Sequence, residues 1–97
     1  MTGERLSDAK LDELRRLSER VASPPWRAMV EGRDHTSGDS FIMIGREDDR
    51  DEDMYVSRDS GPASSADLDF IATARNYLPC LLDEIMRSRT QNEEPRQ

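Results

Sequence analysis

Between residues 65 and 86, apolar residues return at alternating steps of three and four. Leu68, Ile71, Leu78, Leu82 and Ile85 fit a repeat of seven, with Arg75 in the one slot that should be apolar. That repeat predicts an amphipathic helix with a seam along its length, and the charge in the seam requires a partner that satisfies it. Asp67, Asp69, Glu13 or another subunit can supply a carboxylate to Arg75. Ser64 or Ser65 is placed to cap this helix, and Asp67 favours its positive end. Pro79 falls inside the pattern and predicts a kink. A shorter helix begins at the Ser7 cap, where Leu6 can staple against Leu11. Its stripe is Leu11, Leu14, Leu17 and Val21, and Pro24-Pro25 ends it.

Between the helices the period changes from helical to alternating. Residues 26–31 put Trp26, Ala28 and Val30 on one face of a first strand, with Trp26 as a core anchor. Phe41-Ile42-Met43-Ile44 is a continuous apolar run, as in a strand covered on both faces. Residues 54–56 give a short third strand. The connections 32–39 and 46–53 look long for hairpin loops. The expected fold is α+β, in the order α-β-β-β-α: a three-stranded antiparallel sheet against two helices. One domain spans residues 1–97, with loose polar tails at 1–5 and 87–97. In this arrangement Phe41 and Met43 need cover on the second sheet face. A homodimer or higher oligomer would provide it, with Phe41, Met43, Arg75, Leu78 and Leu82 at the interface.

Composition supports a thin interior. The 97 residues are 34% hydrophobic and 36% charged, so association would help a domain that buries only about 60–65% of its unfolded surface. The formal charge of -7 disfavours nucleic acid and anionic membranes as partners. Lys10 is the only lysine among fourteen basic residues. One cysteine, Cys80, excludes an intrachain disulfide and a thiolate metal cage, and following Pro79 it reads as a small core residue. The N-terminal residues lack the apolar core of a signal peptide and no run spans a membrane, so the expected location is cytoplasmic.

Residues 32–40 concentrate two glycines, hydroxyls, an arginine and the only histidine. Arg33, His35, Ser37, Gly38 and Ser40 are the candidate ligand contacts, because glycine-turn amides, hydroxyls and cations suit an anionic small molecule. The bland reading is a polar loop bonding its own backbone. Residues 46–53 hold six carboxylates, but lack the glycine and closing acid of a calcium loop. They read as a solvated loop or a contact for a basic protein. No nucleophile elbow, phosphate loop, histidine metal pair or Cys-x-x-Cys is present, so neither an enzyme nor a bound cofactor or metal is expected.

Pro24-Pro25-Trp26-Arg27, the stretch from Gly32 through Ile42, Asp53-Met54-Tyr55-Val56 and Ala66-Asp67-Leu68-Asp69-Phe70-Ile71 resemble small uncharacterised bacterial and prophage proteins. The run from Phe70-Ile71-Ala72 through Leu78-Pro79 to Leu81-Leu82 is similar to the tail of Ead-like phage proteins. The resemblance covers roughly residues 24–85. It implies a bacterial or phage accessory protein and transfers no functional residue. The functional expectation is stoichiometric binding of a protein partner, as in immunity or counter-defence. The alternative is an oligomer that sequesters an anionic, nucleotide-like molecule.

Overall fold

The computed structural model describes residues 5–36 and 38–93, the last three as backbone only. Helix α1 is Asp8–Arg20; strands β1 to β5 are Trp26–Met29, Phe41–Arg46, Asp49–Arg50, Ser57–Arg58 and Gly61–Pro62; helix α2 is Ser65–Glu93. Strands β1, β2 and β3 form a three-stranded antiparallel sheet, and β4 and β5 a small hairpin. The α+β class and the central three-stranded sheet are as the sequence predicts. Two compact units result. One contains Met1–Val21 and Tyr77–Gln97, the other Ala22–Asn76.

The helical unit starts from a satisfied cap, since the Lys10 amide donates to Ser7 Oγ at 3.0 Å. In α1 the buried positions are Leu11 and Ser18, one heptad apart, and Arg15 between them reaches Asp83 at 2.6 Å. The buried face is therefore rotated from the expected stripe, and it leaves Leu17 and Val21 exposed. Among the described residues, Leu11 and Leu82 are the fully buried side chains of this unit. Leu82 was expected at an interface between copies, but its own chain covers it. The second helix continues unbroken through Pro79 and on to Glu93. Residues 87–93 are thus helical rather than a loose tail: the half-buried Arg89 donates to Asp8 at 2.7 Å and to the Leu6 carbonyl at 2.5 Å. Cys80 is exposed, not a core residue, because one step beyond half-buried Pro79 turns it off the buried face. The other tail positions, residues 1–4 and 94–97, lie outside the described residues.

The sheet unit is built around Trp26, Ala28, Ile42, Ile44, Ala63, Leu68 and Ala72. Trp26 pairs with Ile44 and Ala28 with Ile42, which puts four apolar side chains on one sheet face. The first turn of α2 closes on this face through a reciprocal cap: the Asp67 amide donates to Ser64 Oγ at 3.1 Å, and the Ser64 amide to Asp67 Oδ2 at 3.3 Å. The side chain of Asn76 then acts as a substitute strand. Its Oδ1 accepts from the Trp26 amide and its Nδ2 donates to the Trp26 carbonyl, both at 2.7 Å. The indole Nε1 and Arg75 Nε both donate to the Ala22 carbonyl at 3.1 Å, and the Arg75 guanidinium lies 5.8 Å from the Trp26 ring centroid. Arg75 and Leu78 are half-buried. Arg75 is accommodated here by a carbonyl and a ring face.

The third strand departs from expectation in position. Residues 49–50, not 54–56, form the ladder with β2, after a two-residue turn at Glu47-Asp48. Gly45 pairs with Arg50, so an unbroken register would set Asp53 opposite Ile42; Met54 stands there instead, with amide–carbonyl bonds of 2.8 and 2.9 Å. One inserted residue makes this a β-bulge. The connection 46–53 is therefore strand, turn and bulge. The second sheet face is also less bare than expected. Met43 is only 5% exposed and Phe41 is half-buried within the single chain.

Two substitutions test these supports. Asn76→Leu should destabilise by about 2–4 kcal/mol in urea unfolding, because both backbone groups of Trp26 lose their partner, and Asn76→Asp should recover part of the loss by keeping one acceptor. Gly45→Ala should cost roughly 2 kcal/mol or more. Gly45 has φ of 91°, and an added Cβ would stand 2.6 Å from the Asp49 carbonyl oxygen.

Candidate functional site

The loop after β1 is held by its own backbone. The amides of Arg33 and Asp34 donate to the Val30 carbonyl at 3.0 and 2.7 Å, and the Gly32 amide donates to the His35 carbonyl at 2.7 Å. Gly32 takes a φ of 87°, which a side chain would oppose. Asp34 turns back to accept from the Val30 amide at 2.8 Å, and Ser40 Oγ accepts from the Glu31 amide at 2.9 Å. The polar residues that mark this segment in the sequence therefore build the turn first.

Arg33 carries the densest set of contacts. Its Nε donates to Asp34 Oδ2 at 3.0 Å, and its two terminal nitrogens donate to the two oxygens of Asp69 at 2.9 and 3.0 Å. This fork-to-fork pair ties the loop to the start of α2. The guanidinium hydrogen bonds hold Asp34 and Asp69 below the usual carboxylate range, and the carboxylates raise Arg33 above its ordinary value. An anion reaching Arg33 would have to displace two carboxylates that are already paired.

His35 faces a different set of neighbours. Its Nε2 lies 3.3 Å from the Met29 carbonyl oxygen, and its ring centroid is 5.3 Å from that of Phe41. Phe41 in turn stands 5.4 Å from Tyr55. The three tilted rings form one aromatic row, and Tyr55 at its end is 61% exposed. Of the expected ligand contacts, Arg33, His35 and Ser40 are engaged as described. Gly38 is exposed with φ of 123°, and Ser37 lies outside the described residues. Asp34 and Tyr55 are members that local patterns did not single out, and Asp69, named as a carboxylate for Arg75, pairs with Arg33. Tyr55 sits beside Met54 in the short apolar run, which alternation alone would have placed on the face opposite the core.

Charge is divided unequally between the units. The helical unit has eight basic and nine acidic residues, the sheet unit six basic and twelve acidic. Six of the seven net negative charges therefore belong to the sheet unit. Several of its arginines are paired: Arg33 with Asp34 and Asp69, Arg50 with Asp53, and Arg58 with Asp67. Beside the β2–β3 turn, Pro24, Pro25, Arg46, Asp48, Asp49 and Asp51 line an open depression of about 540 Å³. Among the described residues, no group of three or more His, Cys, Asp or Glu is arranged to hold a metal ion, and no helix is long and apolar enough to cross a membrane. No family model, curated protein or solved structure matches the chain.

The Arg33 clamp has a definite pH signature. Carboxylates with depressed pKa values contribute stability that is complete above their unfolded value, about 3.9, and is lost as pH falls through their folded values. Carboxyl-carbon NMR titration should place Asp34 and Asp69 below about 3.9, and Arg33→Gln should move both upward. Identical titrations in the two proteins would mean that the clamp does not form in solution.

Proposed function

We propose that this chain is a non-catalytic accessory protein that binds another protein stoichiometrically, through its sheet unit, as immunity and counter-defence proteins do. The observation that supports this most is the aromatic row ending in exposed Tyr55 within a unit carrying twice as many acidic as basic residues. Tyrosine supplies a large contact area with little side-chain entropy to lose, and surrounding carboxylates steer a basic partner into register. The partner is accordingly a protein with a positively charged contact face. The alternative, sequestration of an anionic small molecule at the 32–40 loop, has less support because Arg33 already gives its fork to Asp69 and its Nε to Asp34.

Native mass spectrometry of the chain purified from bacterial cells separates the two readings. A protein-sized mass increment that is lost in Tyr55→Ala and weakened by raising the salt is the expected result. A small anionic adduct that survives Tyr55→Ala and disappears in Arg33→Ala would overturn the protein-partner reading.

A further inference from the structure

We propose that the helical unit is a self-association surface, on which two copies of this chain pack face to face into a four-helix assembly. Leu6, Leu17, Val21, Tyr77 and Leu81 each leave 46–60% of their surface exposed. All five belong to this unit. At about 100° per residue, Leu14, Leu17 and Val21 share one flank of α1, turned away from Arg15. On α2, the same geometry groups Tyr77, Leu81, Ile85 and Ser88. A groove of about 830 Å³ runs along the α2 set, lined by Leu81, Ile85, Ser88 and Arg89, with Leu6 from the segment before α1 on its wall. The other side of the helix pair is polar, closed by the ion pair of Arg15 with Asp83 and by the contact of Arg15 with Met86.

Three observations select a second copy as the occupant. First, a pair of helices is a single layer, and stable domains are built from at least two layers around one core. Among the described residues of this unit, only Leu11 and Leu82 are fully buried. Second, the unit is nearly neutral, with eight basic against nine acidic residues. Two copies can therefore meet on this face without net repulsion, whereas two acidic sheet units would oppose each other. Third, the groove rim carries both signs, Arg5 against Glu84, while Arg89 is held by Asp8 of its own chain. A two-fold axis sets each rim against its own copy, so opposite charges on one rim become complementary pairs across it. The five exposed side chains offer on the order of 500 Å² of apolar surface per copy, which with its polar rim approaches the roughly 800 Å² per partner of a standard interface.

Sedimentation equilibrium of the full chain at tens of micromolar should give twice the monomer mass. Leu81→Glu should raise the dissociation constant by roughly 100-fold or more while far-UV circular dichroism stays helical, because the two-fold places the lost contact at the interface twice. Leu6→Glu, outside both helices, should act in the same direction and guards against a folding defect in the first variant. Tyr55→Ala should leave the dimer intact, which separates this surface from the partner-binding surface of the sheet unit. A monomeric wild-type chain, a dimer that survives both glutamate substitutions, or one dissociated by Tyr55→Ala would overturn the proposal.

Discussion

The sheet unit depends on one clasp. The carboxamide of Asn76 takes both backbone groups of Trp26, and so does for the open edge of β1 what a fourth strand would otherwise do. An edge strand presents unpaired amides and carbonyls as a template for further pairing, and blocking it with a side chain removes that hazard at Trp26, one of the strand's two buried residues. The same placement turns the indole inward, where its Nε1 and Arg75 Nε share the Ala22 carbonyl. Register follows from this. With Trp26 fixed, Ala28, Ile42 and Ile44 fall on the core face, and a one-residue slip would turn all of them outward.

What was readable in the sequence had local causes. Ser7 and Ser64 cap helices because the amides they satisfy lie three residues away. The first two strands are legible because Trp26, Ala28 and the 41–44 run decide their own faces. The third strand was misplaced because a bulge obeys the partner strand and leaves little trace in polar residues such as Asp51-Glu52-Asp53. The end of α2 was missed for a similar reason: Arg89 looks like tail composition until its bonds to Asp8 and Leu6, some eighty residues away in sequence, are visible. The density of polar groups in the 32–40 loop is plain in the sequence. Its chemistry was not legible, because the partner that occupies Arg33 is Asp69, thirty-six residues on. A cation in a sequence is a candidate ligand contact only until its carboxylate is found.

Arg75 illustrates how a guanidinium in an apolar seam can use a ring face and a backbone carbonyl. A guanidinium is planar and weakly hydrated for a cation, so it can lay one face on an aromatic ring while an N–H reaches a carbonyl. Trp26 and the Ala22 carbonyl provide both here. A lysine in the same slot would offer neither a flat face nor a fixed Nε, and the heptad position would then be a defect.

The division of charge bears on how so small a chain can be both stable and selective. On the proposed reading two tasks compete for its surface: covering a thin core, which favours apolar neutral faces, and recognising a partner, which favours exposed anchors and a strong field. Mixing them on one face would compromise both, since a field strong enough to steer a partner also repels a second copy. Here the tasks are separated along the chain. The helical unit, with its charges nearly balanced, holds the exposed leucines. The sheet unit holds six of the seven net charges, and one of its exposed aromatics, Tyr55, ends a row with Phe41 and His35. The single histidine is thereby drawn into that row.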